Sequence, residues 1–169
     1  MSPGIISVDV NVNVNQGPPM QPDDPHYAQR TRDSYARQPA MATLGATLET
    51  VEPGRVVIAM AHRAELTQQH GFIHAGMLSA ALDSACGYAA FSLMPADAAV
   101  LTIEFKINLL SPARGPLFRF EGMVVKAGRT ISVVEGRAFQ HEAGRADEKL
   151  IATMNATVMS VRGRDGLRH

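Results

Sequence analysis

A single cysteine, Cys86, is present among the 169 residues of the sequence. One thiol cannot form a disulfide within the chain, and no cluster of cysteine and histidine has the spacing of a structural zinc site. We therefore expect no disulfide framework, no metal site and a reducing, cytoplasmic setting.

The chain also has a formal net charge of zero. Sixteen lysine and arginine residues balance sixteen aspartate and glutamate residues, and 46% of the residues are hydrophobic, which is ordinary for a soluble protein. Nothing in this composition indicates nucleic acid or an anionic membrane as a partner, because both require an excess of basic side chains.

No targeting or membrane-spanning segment is evident. Residues 1–16 lack the basic start of a secretory signal, and Asp9 and several asparagines interrupt any apolar stretch. The apolar run over residues 77–94 approaches the ~20 residues of a transmembrane helix. Because this run is rich in alanine, serine and glycine and has Asp83 near its middle, a buried helix is the better interpretation.

The length of the chain fits one domain, since single domains usually have ~100–200 residues. Residues 1–30 are poor in large apolar side chains and contain five prolines, so we expect a mobile N-terminal extension. Alternatively, the alternating residues 6–12 add an edge strand. We expect the folded domain over residues 31–161 and a flexible tail over residues 162–169.

Within the domain, the pattern predicts an α+β fold. Residues 30–41 predict a short helix, and Pro53-Gly54 joins two strand-like segments into a hairpin. One long helix stopped by Pro95 follows. The predicted strands cover residues 42–50, 55–63, 101–109, 117–126, 129–140 and 149–161. A helix that is apolar on every side must be surrounded, and one curved antiparallel sheet can wrap it.

The segment 101–109 alternates strictly between apolar and polar residues. This pattern predicts a strand with one apolar and one polar face. The apolar face would carry Leu101, Ile103, Phe105, Ile107 and Leu109, and the polar face Thr102, Glu104, Lys106 and Asn108.

Asp83 is the residue of the long helix that requires an explanation, because a buried carboxylate is costly unless something stabilises it or uses it. Gly76 lies seven residues earlier, on nearly the same helix face but ~10 Å away along the axis. The two cannot touch one small reacting group. If two copies of the helix ran antiparallel across a two-fold axis, the N–H groups near Ala75-Gly76 of one chain would face Asp83 of the other.

Each of these residues also has a simpler interpretation. Asp83 is then a buried carboxylate satisfied by its surroundings, and His74 is a helix cap or a structural histidine. Gln68 is a solvated loop residue. For Cys86 a packed core thiol is strongly favoured, since no base is evident beside it.

The ordered combination of motifs resembles the hotdog-fold thioesterases of the phenylacetic-acid-degradation (PaaI-like) type. It consists of Gln68-x-x-Gly71-x-x-His74-Ala75-Gly76 with Asp83 nine residues after His74, then the strand 101–108 and the turn 111–115. The similarity spans residues 30–159. It implies a hotdog fold and hydrolysis of acyl-CoA thioesters by a homodimer or by a homotetramer that is a dimer of dimers.

The resemblance also implies roles for single residues. Asp83 corresponds to the catalytic carboxylate, Gln68 to an Asn or Gln six residues before the motif histidine, and Thr102 to a Ser or Thr at the start of the next strand. The family usually has His-Gly-Gly where this chain has His74-Ala75-Gly76. Ala75 keeps its N–H, but its methyl group narrows the approach to the acyl group.

The expected mechanism places the thioester carbonyl at the N–H groups of Ala75 and Gly76. Asp83 of the partner subunit activates a water or attacks directly. Gln68 would orient the water or the thioester, and Thr102 would hydrogen-bond to Asp83 or to the water. His74 is expected to position the loop or contact the thioester.

Coenzyme A enters only as part of the substrate, and no separate cofactor is expected. By chemistry and by the resemblance, its phosphates would meet Lys126, Gly128, Arg129 and Arg114. Phe72, Met77 and Met94 are candidates for the lining of the acyl pocket.

Two alternatives stay open. A hotdog hydratase or dehydratase acting on acyl-CoA would also combine a histidine with a carboxylate, although the His74–Asp83 spacing favours a thioesterase. A non-catalytic acyl-CoA-binding module is the other, although such a module would be expected to lack the carboxylate that Asp83 supplies.

Overall fold

The computed structural model describes residues 20–142, 144 and 147–163. Its helices are α1 (Tyr27–Ala36), α2 (Pro39–Leu44) and α3 (Ala75–Phe91), with one 3-10 turn at Ala64–Leu66. Its strands are β1 (Ala46–Glu52), β2 (Arg55–Ala61), β3 (Ala99–Leu109), β4 (Leu117–Lys126), β5 (Ile131–His141) and β6 (Glu148–Val161). The strands form one antiparallel sheet in the order β1-β2-β4-β5-β6-β3. The predicted α+β hotdog architecture is confirmed.

The helix α3 lies on the inner face of this sheet and is buried along almost its whole length from Leu78 to Phe91. It begins two residues before the predicted start because His74 caps it in an extended conformation. It ends at Phe91, and turns rather than helix carry the chain through Met94. Within the residues described, no helix combines the length and hydrophobicity that a membrane span needs.

Two glycines let α3 approach the sheet closely. Gly122 of β4 and Gly136 of β5 are paired directly across the two strands. A Cβ at Gly122 would lie 2.3 Å from the carbonyl oxygen of Ala85, and one at Gly136 would lie 2.8 Å from the sulfur of Cys86. The helix backbone therefore rests where these two inward positions carry no side chain.

The prediction of one apolar face along β3 is wrong, because the strand contains a β-bulge. Thr102 pairs with Val158, whereas Glu104 pairs with the next residue of β6, Thr157. Paired residues point to the same side of a sheet, so the extra residue shifts the alternation by one position. Thr102 and Phe105 both face inward, and Leu101 shares the outer face with Met159.

The segment before β1 also differs from the prediction. The single helix expected over residues 30–41 is two helices, because Pro39 opens α2 and the preceding Gln38 is extended (ψ 101°). The helix α2 runs to Leu44 and ends in a left-handed Gly45 (φ 65°), so β1 begins only at Ala46.

The segment expected to be mobile is ordered where the structure describes it. Asp24 is buried and lies 2.7 Å from Arg30, which donates hydrogen bonds to the carbonyl oxygens of Phe91 and Met94 at the end of α3. Packing thus begins before the expected boundary at residue 30. The remainder of that segment, with the strand considered over residues 6–12, and positions 164–169 of the expected tail lie outside the described residues.

Gly122→Ala should destabilise the fold by about 1–3 kcal/mol, because the new methyl group would meet helix backbone that cannot move aside easily. Urea denaturation measures this loss. Gly87→Ala is the matched control, since a Cβ at this helical glycine meets no atom within 4 Å. It should stabilise the protein by about 0.5–1 kcal/mol. Equal effects of the two substitutions would contradict this account of the contact.

Candidate active site

Asp83 lies near the middle of α3, and its carboxylate is held by the neighbouring strand. The hydroxyl of Thr102, the last paired residue before the bulge in β3, donates a hydrogen bond to Asp83 Oδ1 over 2.9 Å. Burial raises the pKa of the Asp83 carboxyl above its ordinary value, and the hydrogen bond from Thr102 opposes part of this shift. Among the described residues the carboxylate forms no ion pair. It is therefore a half-buried base.

A cavity of about 250 Å³ opens beside this carboxylate. Three structural elements enclose it: the middle of α3, the first residues of β3 and the junction between α1 and α2. Its lining residues are Gln38, Asp83, Ser84, Gly87, Tyr88, Val100, Leu101 and Thr102. A group bound to Asp83 would extend into this space.

A second, larger cavity of about 520 Å³ lies at the start of α3. Gln68, His74 and Ala75 line it, together with Leu109 at the end of β3 and the turn that follows. This cavity and the cavity at Asp83 border the two ends of the same strand.

His74 caps α3 through its side chain. Its Nδ1 accepts a hydrogen bond from the N–H of Gly76 over 3.0 Å, so the proton of the neutral imidazole is on Nε2. The Gly76 N–H is thereby engaged. The N–H of Ala75 meets no acceptor among the described residues and is the free donor at this helix end. The simpler interpretation of His74 as a cap describes its observed contact.

Gln68 stabilises the loop that leads to His74. Its N–H donates to the carbonyl oxygen of Phe72 over 2.8 Å, and the chain turns at Gly71 with φ 82°. The side-chain Oε1 of Gln68 accepts from the N–H of His70. Its amide nitrogen has no acceptor among the described residues, so it can donate into the cavity.

Gln140 supports the opposite wall of this cavity, and our sequence reasoning missed it. The buried Oε1 of Gln140 accepts from the N–H groups of Arg114 (3.0 Å) and Gly115 (3.1 Å). The same turn accepts a hydrogen bond from Ile73, just before the helix, at the carbonyl oxygen of Ala113. A signal existed, because the inward positions of β5 alternate regularly and end on this glutamine.

One chain does not bring Asp83 and the start of α3 together. The two lie in separate cavities, and their separation along the helix is ~10 Å. Within one chain they therefore do not form a single site.

Comparisons with known proteins identify the family. A model described as the thioesterase superfamily matches residues 70–146. A thioesterase family protein from Silicibacter pomeroyi, of known structure, is 58% identical, with a TM-score of 0.79 over 81% of this chain and 99% of that one. The chain belongs to the thioesterase superfamily.

More distant relatives agree. A Saccharolobus solfataricus protein named for an inferred esterase activity is 36% identical over 104 residues, which are 61% of this chain and 72% of that protein. The Escherichia coli PaaI protein from the phenylacetic acid degradation operon has 20% identity and a TM-score of 0.72, over 81% of this chain and 94% of that one. At 20% identity, this structural similarity supports a shared fold and nothing further.

In this thioesterase-superfamily chain, the four residues expected at the phosphates do not converge. Gly128 and Arg129 line a cavity of about 250 Å³ beside the end of α3, with Lys126 just before them. Arg114 lies at the opposite end, next to the cavity at the start of the helix. The Gly128 N–H already donates to the hydroxyl of Ser132 over 3.3 Å.

The candidate acyl-lining residues are likewise dispersed over the thioesterase fold. Phe72 lines the cavity at the start of α3, Met94 lines the cavity at its end, and Met77 packs against the core. Cys86 is a core thiol, since it is fully buried and burial raises its pKa to about 12. Among the described residues no three metal-ligating side chains form a group.

His74→Ala should lower the free energy of unfolding by about 0.5–2 kcal/mol, because the N–H of Gly76 loses its acceptor. Thermal or urea unfolding measures the change. His74→Ser is the matched rescue, since a serine hydroxyl caps helices well. If the serine variant regains stability but not activity, the imidazole has a chemical role beyond capping.

Proposed function

We propose that this protein hydrolyses acyl-CoA thioesters to a free acid and CoA. The observation that carries the proposal is the half-buried carboxylate of Asp83, hydrogen-bonded to Thr102 and open to a cavity, in a chain of the thioesterase superfamily. Burial makes this carboxylate more basic than an exposed one. A base of this kind suits the removal of a proton from water near neutral pH.

Asp83 acts by one of two routes. As a general base it takes a proton from a water molecule, whose oxygen attacks the thioester carbon. The C–S bond then breaks, and the thiolate of CoA takes up a proton. As a nucleophile the carboxylate attacks directly, CoA leaves, and water hydrolyses the mixed anhydride. Incorporation of oxygen-18 from labelled water into Asp83 during a single turnover identifies the second route.

The start of α3 stabilises the negative charge that develops on the carbonyl oxygen. The free N–H of Ala75 and the positive end of the helix dipole are suited to this role. Gly76 contributes by holding the imidazole of His74 in place, since its own N–H donates to that ring. Gln68 directs its unpaired amide donor toward the water or the thioester. The methyl group of Ala75 limits how closely the substrate approaches.

A second copy of the chain completes the site. β3 is an edge strand whose only neighbour among the described strands is β6, and its apolar side chains are widely exposed. The exposed fractions are 40% for Leu101, 53% for Ile103, 43% for Phe105 and 51% for Leu109. Such an edge is a template for pairing with another strand. Antiparallel pairing about a two-fold axis near Phe105 places the start of α3 of one chain beside Asp83 of the other.

The same pairing unites the residues proposed for CoA. Arg114 follows the end of β3, whereas the turn with Lys126, Gly128 and Arg129 lies beyond its beginning. Antiparallel pairing brings the end of β3 in one subunit beside the beginning of β3 in the other. Arg114 of one subunit then lies near the turn with Lys126, Gly128 and Arg129 of its partner. Both groups can then contact the phosphates of one CoA molecule.

A dimer of dimers is supported by a second exposed surface. The outer face of β4 and β5 carries Met123, Val125, Ile131 and Val133, each at least 41% exposed. Together these side chains form an apolar area that a second dimer would cover.

Asp83→Asn should lower kcat by about 10²–10⁴ while the fold is retained, because asparagine still accepts the hydrogen bond from Thr102. Release of free thiol from a panel of acyl-CoA thioesters measures the rate. Near-wild-type hydrolysis by the variant contradicts the role of Asp83. Turnover of an enoyl-CoA without thiol release would indicate the hydratase instead.

The pH profile provides a second readout of the same carboxylate. The reactive form is deprotonated, so kcat/KM of the wild type should fall on acidification through a pKa above 3.8, the ordinary value. Thr102→Val removes the interaction that lowers this pKa. The acid limb of the pH profile of this variant should move to higher pH. An unchanged acid limb would show that Thr102 does not influence the pKa of the catalytic base.

Mixing two inactive variants tests whether the site is shared between subunits. Asp83→Ala and Gln68→Ala alter opposite halves, so each heterodimer has one intact site and one site with both changes. After random subunit exchange, half of the dimers are mixed, and roughly a quarter of wild-type activity should return. If activity stays at the level of the separate variants, both halves act within one chain.

A further inference from the structure

A buried glycine forms part of the wall of the cavity beside Asp83. Gly87 lies one helical turn after Asp83 and is itself buried, yet a Cβ built on it meets no atom within 4 Å. The empty space over this glycine therefore belongs to the cavity, which Gly87 lines. Glycine in the interior of a helix is unfavourable compared with alanine. Its presence at this position leaves the cavity open.

The cavity also contains an unpaired hydrogen-bond donor. Gln38 reaches it from the junction of α1 and α2, outside the segment 70–146 that matches the family model. Its Oε1 accepts from the hydroxyl of Ser84 over 3.5 Å, which leaves the amide nitrogen for another partner. That nitrogen has no acceptor among the described residues.

The remaining walls of the cavity come from β3 and from Tyr88 of α3. Val100 supplies the apolar side chain of the wall along β3, since Leu101 faces the outer side of the sheet. Tyr88 closes the end of the cavity on α3, and its hydroxyl is already within 3.3 Å of the hydroxyl of Ser34. The volume of about 250 Å³ is below the ~300–1,000 Å³ that is common for ligand pockets. The volume therefore favours a short group.

We propose that the acyl group of the substrate occupies this cavity, with the missing side chain at Gly87 setting the length that fits and Gln38 donating a hydrogen bond to an oxygen at the far end of the acyl group. The proposal rests on the hydrolase function given above. The preferred substrates are short acyl-CoA thioesters that carry a carbonyl or ether oxygen away from the thioester. A wholly apolar acyl group would cover the amide nitrogen of Gln38 and leave it without a hydrogen-bond partner, which costs binding free energy. Gln38 therefore selects acyl groups that carry an acceptor oxygen.

The experiment compares acyl groups of equal shape. 4-Oxopentanoyl-CoA is paired with 4-methylpentanoyl-CoA, and 5-oxohexanoyl-CoA with 5-methylhexanoyl-CoA. The wild type should favour the oxo member of at least one pair by about three- to tenfold in kcat/KM, the range of one net hydrogen bond. Gln38→Leu should abolish this preference. Gln29→Leu makes the same change on exposed α1, outside the cavity, and should retain it.

Gly87→Ala tests the limit on length. The added methyl group enters the cavity, so kcat/KM should fall for hexanoyl-CoA relative to butanoyl-CoA by about tenfold or more. The melting temperature should rise, because alanine favours the helix and meets no clash. A stable variant with altered selectivity excludes misfolding as the cause.

Two results would overturn the proposal while leaving hydrolysis intact. One is an oxo preference that is absent or unaffected by Gln38→Leu. The other is a change in kcat/KM that is the same for every acyl-CoA in both Gln38→Leu and Gly87→Ala. That result would place the pantetheine arm of CoA in the cavity instead. The proposed function itself fails differently, since the wild type would then release no thiol from any acyl-CoA.

Discussion

The contact between α3 and a pair of glycines determines the position of everything else in this fold. Gly122 and Gly136 face each other across β4 and β5, and the helix backbone at Ala85 and Cys86 rests on them. Any side chain at these two positions would lift the helix from the sheet. Because the helix is held at its middle, its capped start reaches the turns after β3, and Asp83 comes to lie beside that strand.

The bulge in β3 allows both Thr102 and the apolar residues after it to face the inside of the sheet. Thr102 must face inward to bind Asp83, and the apolar side chains after it must also face inward. Regular alternation allows only one of these, since Thr102 and Phe105 are three positions apart. One extra residue at Ile103 satisfies both and leaves an apolar edge exposed. The proposed dimer uses that edge, so local backbone irregularity and subunit assembly are connected.

The segment before β1 contacts α3 at its end and beside its middle. Arg30, bound to Asp24, donates to the carbonyl oxygens at the end of the helix and stacks 4.1 Å from the ring of Phe91. Positive charge at that end also complements the helix dipole. Gln38 of the same segment lines the cavity at Asp83. Stability of the helix and selection of the acyl group are therefore supplied by residues outside the part that matches the family model.

The sequence by itself determined the long buried helix, the succession of strands along the chain, the separation of Asp83 from the start of α3 along the helix, and the core position of Cys86. These follow from periodicity, turn residues and helix geometry, which are local properties of the chain. Only the tertiary structure decided that Thr102 meets Asp83, that His74 engages the N–H of Gly76, and that Gln38 reaches the cavity. Each contact joins segments that are distant in the sequence or depends on the exact place where an element begins, and sequence periodicity does not specify either.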